Sequence, residues 1–182
     1  MQIVESAELF AKERHTGRIR KDSALYLDHL KGIVDRLKNL GILDQEVLAA
    51  AWLHDIMEET NTTFDEIDKR FGSRIAVLVL ASSRDKNLPR DQIEKQHTKQ
   101  LKESPIEAKL IKLCDISTNL KDLKNAAWSR TKKTKEVKKN LYYLNIIKPE
   151  LSKNKAQYPG IQNIINGINE VISTHGQRPI VL

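Results

Sequence analysis

The stretch AAAWLHDIMEETNTT (49–63) carries His54 and Asp55 side by side at the end of an apolar run, with Glu58 and Glu59 one turn later. Ionisable groups at the edge of an apolar segment are costly to bury unless something neutralises them. If the helix continues through the motif, His54 lies over Glu58 and Asp55 over Glu59. A second set sits in IKLCDISTNLKDL (111–123), where Asp115, Asn119 and Asp122 are spaced by four and three and so share one helical face. Leu110, Ile111, Leu113, Cys114, Ile116 and Leu120 surround them. A carboxylate desolvated among such neighbours needs a cation. His29, in YLDHLKGIV, is a third polar group among core-forming residues.

Together, His29, His54, Asp55 and Asp115 can supply two imidazoles and two carboxylates to one divalent metal. Mixed nitrogen and oxygen donors suit Mn, Fe or Zn better than Ca or Mg. Each residue alone has an ordinary explanation, as a satisfied core histidine or a chance His-Asp dipeptide. The order and spacing of the set carry the reading. Cys114 beside Asp115 is expected to be inert packing.

These residues need elements to position them, and helical spacing dominates the chain. A first helix is expected over 2–15, with Ile3, Ala7, Leu9, Phe10 and Ala11 as its buried stripe. HTGRIRKDS reads as a loop. A second helix runs from about Ala24 to Leu40 and stops at Gly41. Asp44 is a good N-cap for a third helix, which carries the opening motif. Thr63 and Glu66 form a capping-box pattern for a short fourth helix. Further helices are expected over 73–82, 91–102, from Pro105 through 123, near 131–147 and near 158–174. Clean strand alternation is absent from this pattern. The chain is therefore expected to be all-α, a single domain over 1–182 of about eight to ten helices.

The 182 residues carry a net charge of +7 with 40% hydrophobic content. Residues 130–155 hold nine Lys/Arg against two Glu, so the rest of the chain is balanced. That segment can meet an RNA, an anionic substrate or only solvent. No aromatic stacking pattern accompanies the lysines, so nucleic acid is not the expected partner. No apolar run approaches ~20 residues, which argues against a membrane span. The amphipathic N-terminus lacks a signal-peptide core. One cysteine fits a reducing compartment, and a cytoplasmic location is expected.

The order His, then His-Asp, then Asp resembles the HD-domain metal-dependent phosphohydrolases. The likeness narrows to the hydrolase domain of the RelA/SpoT alarmone enzymes, especially their single-domain small alarmone hydrolases. It begins with HTGRIRKD (15–22), similar to the family's H-x-G-x-x-R-K, and continues through YLDH (26–29) and WLHDIMEET (52–60). TTFDEIDKRFG (62–72) and IKLCDISTNLKDL (111–123) complete it, so about two thirds of the chain is covered in order.

The resemblance implies a mononuclear site on His29, His54, Asp55 and Asp115, typically with Mn²⁺. It implies that Glu58 and Glu59 handle the attacking water, that Arg20 and Lys21 contact the guanine nucleotide, and that Asn119 meets the ribose side. Tyr142 and Tyr143 are candidates for a further substrate contact, and Lys86, Arg90 and Lys95 for electrostatic balance. The implied reaction removes the 3′-pyrophosphate of guanosine tetra- or pentaphosphate to give GDP or GTP, and no room remains for a synthetase. Three positions depart from the family's pattern: Glu59 for Asp, Leu30 for Pro and Cys114 for Ala. An extra methylene at Glu59 matters, because misplacing a reacting group by ~1 Å can cost ~10²-fold in rate. The competing readings are an HD phosphohydrolase acting on another nucleotide, and a nucleotide-binding module with little turnover.

Overall fold

The computed structural model describes residues 2–16 and 26–182. Arg20 and Lys21 lie outside the described residues. Ten helices are present among the described residues, and no strand. They are α1 (Ile3–Arg14), α2 (Tyr26–Asn39), α3 (Gln45–Leu53), α4 (Ile56–Glu59), α5 (Phe64–Phe71), α6 (Ser73–Ser82), α7 (Arg90–Glu103), α8 (Ile106–Asp122), α9 (Arg130–Lys153) and α10 (Ile161–Ser173). The all-α expectation and its helix number are met.

Local signals set many of the ends. The Asp44 carboxylate accepts from the amides of Glu46 and Val47, which starts α3. Thr63 Oγ1 accepts from the Glu66 amide at 3.2 Å and starts α5. Helix α2 stops in a Schellman arrangement: the Ile42 amide reaches the Leu37 carbonyl and the Gly41 amide reaches that of Lys38. Gly41 takes φ 82°, a left-handed conformation that costs glycine no Cβ clash.

Two helices form the centre of the fold. In α3 every residue from Val47 to Leu53 is buried, and in α8 burial runs almost unbroken from Ala108 to Leu120. Helices α1, α2 and α6 pack on α3, while α2, α6, α9 and α10 pack on α8. His54 and Asp55, which follow α3, and Asp115 on α8 are therefore set against an apolar core.

Two extents differ from the sequence expectation. Helix α9 continues past 147, through Pro149, to Lys153. The third helix does not carry the whole opening motif, because α3 ends at Leu53 and α4 begins at Ile56. The reason lies at His54 and Asp55. Consecutive residues on an unbroken helix diverge by ~100° around its axis. With Asp55 at φ −119°, ψ 7°, the backbone bends between the two short helices, and adjacent side chains face one cavity.

Candidate metal centre

His29, His54, Asp55 and Asp115 converge on the floor of a cleft of about 360 Å³. Helix α2 contributes His29, the α3–α4 break contributes His54 and Asp55, and α8 contributes Asp115. Asp115 Oδ1 lies 3.3 Å from His29 Nε2 and 3.9 Å from His54 Nε2. Asp55 Oδ2 lies 3.7 Å from His54 Nε2. Donor atoms of His29, His54 and Asp55 all fall within 4.8 Å of one another.

This geometry fits a metal ion. Two ligand atoms each ~2.1 Å from one ion can be no more than ~4.2 Å apart. The His29–Asp115, His54–Asp115 and His54–Asp55 separations fall inside that limit, and the His29–His54–Asp55 set lies within 4.8 Å. The tautomer fits as well. His54 Nδ1 lies 3.0 Å from the Ala51 carbonyl, which can only accept, so Nδ1 donates there and Nε2 is the nitrogen that faces the site. Asp55 Oδ1 is buried without a hydrogen bond. Oδ1 faces His15 Nε2 at 3.8 Å, while Oδ2 is the oxygen near His54, and two carboxylates beside two imidazoles are the chemistry of a cation site.

The carboxylates are held ionised. Burial alone pushes the Asp115 carboxyl up, but the Lys112 ammonium at 2.8 Å, the His29 hydrogen bond and the His54 ring together pull it well below the usual range. Burial likewise opposes ionisation of Asp55, and His54, the Tyr26 hydroxyl, His29 and His15 outweigh it. Tyr26 donates to Asp55 Oδ2, and the buried His15 ring stacks on Tyr26 with centroids 4.2 Å apart. His15 thus buttresses the site from the end of α1. Asp122 Oδ2 sits 3.7 Å from His29 Nδ1, on the side of the ring away from Asp115, where a carboxylate orients a ligand histidine.

The two candidate acids differ in setting. Glu58 is half-buried, and its Oε1 accepts from Arg84 Nη1 at 3.0 Å. Glu59 is exposed, although it also lines the cleft. Asn119 Nδ2 donates to Asp115 Oδ1 at 2.8 Å.

The positive wall of the cleft is formed by Arg84, Lys112 and Lys139. Lys86, Arg90 and Lys95, singled out from the sequence, do not line it. Desolvation of Lys139, then the charges of Arg84 and Lys112, lower its pKa. Of the two tyrosines, Tyr143 lines the cleft, while Tyr142 is half exposed and pairs with the Thr98 hydroxyl at 3.0 Å. His97 also reaches the cleft and is buried. Burial, then Lys112 and Arg84, push its pKa down to about 4, so its ring is neutral at pH 7. The other lysines of α9 are exposed or half-buried; Lys132 Nζ lies 4.0 Å from the centre of the Trp128 ring, and Lys153 Nζ pairs with Glu150 Oε1 at 2.6 Å.

Among the described helices none is long and apolar enough to cross a membrane. Residues 7–144 match the model of the family described as HD domain. The chain belongs to the HD-domain family. This HD-domain protein is 40% identical over 125 residues to guanosine-3′,5′-bis(diphosphate) 3′-pyrophosphohydrolase MESH1 of Mus musculus, covering 67% of this chain and 69% of that protein. The protein of the same name from Danio rerio is 39% identical over 117 residues, 63% of this chain and 65% of the relative. The match thus spans about two thirds of the length of these relatives. The bifunctional (p)ppGpp synthase/hydrolase SpoT of Escherichia coli strain K12 is 33% identical over 126 residues, and only 18% of that longer protein is covered. The solved structure of a metazoan SpoT orthologue superposes with a TM-score of 0.79 over 97% of both chains, at 24% identity. That likeness shows the same fold.

Proposed function

We propose that this HD-domain protein hydrolyses the 3′-pyrophosphate of guanosine tetra- or pentaphosphate, releasing pyrophosphate and GDP or GTP. The observation that carries the reading is a four-residue His/Asp set on the floor of a cleft whose wall holds Arg84, Lys112 and Lys139. Similar relatives bear the name of that activity. His29, His54, Asp55 and Asp115 would hold one divalent ion, with manganese the ion we assign. When bound, such an ion supplies Lewis-acid activation of a water and of the phosphoryl group under attack.

The protein's own groups do the rest. Glu58 acts as general base on the attacking water. Arg84 engages its Oε1, so Oε2 is the oxygen assigned to accept the proton. Glu59 assists from the cleft mouth. Lys112 is committed to Asp115, and Lys139 offers its charge to the substrate's phosphates. Asn119, fixed by its bond to Asp115, is assigned to the ribose side. Arg20 and Lys21 are assigned to the guanine ring and a phosphate, because a guanidinium stacks on a purine and an ammonium meets phosphate as a point charge. Residues 1–182 act as one unit in the cytoplasm, and α10, beyond the family match, packs on α8 and backs the ligand helix.

The test is turnover of guanosine tetraphosphate with Mn²⁺, with GDP and pyrophosphate separated by chromatography, beside Asp55→Ala. Metal-dependent GDP release that vanishes in the variant is expected. No release from protein that binds Mn²⁺ would sink the alarmone assignment and point to another nucleotide.

A further inference from the structure

Arg84 is a crossroads. Its Nη1 donates to Glu58 Oε1 at 3.0 Å, its Nη2 donates to the Tyr143 hydroxyl at 2.8 Å, and its Nε lies 3.2 Å from Glu94 Oε1. The Tyr143 hydroxyl passes its own proton toward Glu94 Oε2 at 2.7 Å. Glu94 comes from α7, Tyr143 from α9 and Glu58 from α4, so three helices meet at the guanidinium. The Tyr143 ring is itself fixed, with His97 edge-on at 5.5 Å and Lys112 Nζ 4.9 Å from its centroid. Burial and the bond to Glu94 raise the Tyr143 pKa to about 12, so its hydroxyl remains a donor.

We propose that Arg84 is a positioning residue, which holds the Glu58 carboxylate in place over the metal floor and is itself locked by Glu94 and Tyr143. The inference rests on the assignment of Glu58 as the water-handling acid. Glu58 belongs to a four-residue helix that cannot be rigid by its own hydrogen bonds, and a half-buried glutamate has several rotamers to choose from. The planar guanidinium, with donors in fixed directions, selects one of them. Nη1 and Nη2 each donate to a protein group and Nε faces Glu94 Oε1 at 3.2 Å, so the protein itself orients the guanidinium.

The experiment measures kcat and KM with guanosine tetraphosphate and Mn²⁺ for Arg84→Met, Arg84→Lys, Glu58→Gln and the double variant Arg84→Met/Glu58→Gln. Arg84→Met is expected to lower kcat by ~10²-fold, with KM changed by less than about twofold. Arg84→Lys recovers part of the loss, since one ammonium can reach Glu58 but cannot span all three partners. The double variant falls no lower than Glu58→Gln alone, because Arg84 acts only through Glu58. A rise in KM, or losses that multiply in the double variant, would make Arg84 a substrate contact and overturn the proposal.

The same variants are assayed on bis(p-nitrophenyl) phosphate, which carries no guanine or ribose. An equal loss on both substrates is expected from a group that acts on the water. If the diester is cleaved while the tetraphosphate is not, the alarmone reading fails and the diester data decide the role of Arg84. If neither is cleaved, urea-unfolding midpoints of the same four proteins decide. Shifts that simply add overturn the pairing, and a double variant no less stable than the worse single variant supports it.

Discussion

Glu58 and Glu59 are adjacent, chemically identical and not equivalent. Glu58 is half-buried with one oxygen fixed by Arg84, whereas Glu59 is exposed at the end of α4. A general base must be held within reach of its proton, and the Arg84 bond holds Glu58 at the cleft. Glu58→Gln is therefore expected to lower kcat by ~10²-fold or more, while Glu59→Asp, which restores the family's usual acid, changes it by less than ~3-fold. Steady-state rates on the same substrate check both, and a large gain in Glu59→Asp would transfer the water-handling role to Glu59. The four candidate ligands could be picked out because each is an ionisable type among apolar neighbours: His54 and Asp55 at the end of the α3 run, Asp115 within α8, and His29 on the buried face of the amphipathic α2. Arg84 and Lys139 were not. Arg84 lies in the polar stretch ASSRDKNLPRD and Lys139 in a run of lysines. Their selection over Lys86, Arg90 and Lys95 depends on how α7 and α9 pack, which local pattern does not encode.

Element boundaries follow the same division. Caps at Asp44, Thr63 and Gly41 are local chemistry, so the starts of α3 and α5 and the stop of α2 could be read directly. The break between α3 and α4 could not, because helix-forming residues run straight through it and the site's geometry overrides propensity. Helix α7 shows the limit most clearly. Its sequence is polar apart from Ile93 and Leu101, yet His97 is buried beside Leu101 where it meets its neighbours. His97 has a pKa of about 4 in the fold against ~6.5 in an unfolded chain. Its surroundings are Lys112, Arg84, Glu94 and Tyr143, and burial is the leading cause of the shift. Between pH 6.5 and about 4 the unfolded chain binds the extra proton, so acid favours unfolding in that window. The penalty approaches roughly 3 kcal/mol at its lower end. Asp55 and Asp115, depressed in the fold, contribute stability above ~3.8 and lose it only below that. Urea midpoints at pH 7 and pH 4.5 are expected to differ clearly for the wild type and much less for His97→Gln. Equal slopes in the two proteins would place the acid sensitivity elsewhere.

On the scale of the whole molecule, the break after α3 and the central helix α8 place ionisable groups against a core that would otherwise be apolar. Desolvating two carboxylates costs several kcal/mol per ion unless opposite charge compensates. Lys112 compensates Asp115 from one side, and the imidazoles and Tyr26 compensate Asp55 in part. A divalent cation held by the four proposed ligands would add the remaining charge, which would link metal binding to folding stability. An ion present at 100 times its dissociation constant adds ~2.7 kcal/mol. For a chain of this length that corresponds to a rise in Tm of roughly 5–10 °C. Thermal unfolding with and without Mn²⁺, in the absence of any nucleotide, is expected to show that rise, and excess EDTA is expected to reverse it. In Asp55→Ala the rise shrinks sharply, because the ion loses an anionic ligand while Ala retains none of the side chain's charge. The four residues come from α2, the α3–α4 break and α8, so the stabilisation should appear as a shift of the whole transition rather than a new early phase. A wild-type Tm indifferent to Mn²⁺, Fe²⁺ and Zn²⁺ alike would remove the ligand assignment, whatever the enzyme does with nucleotides.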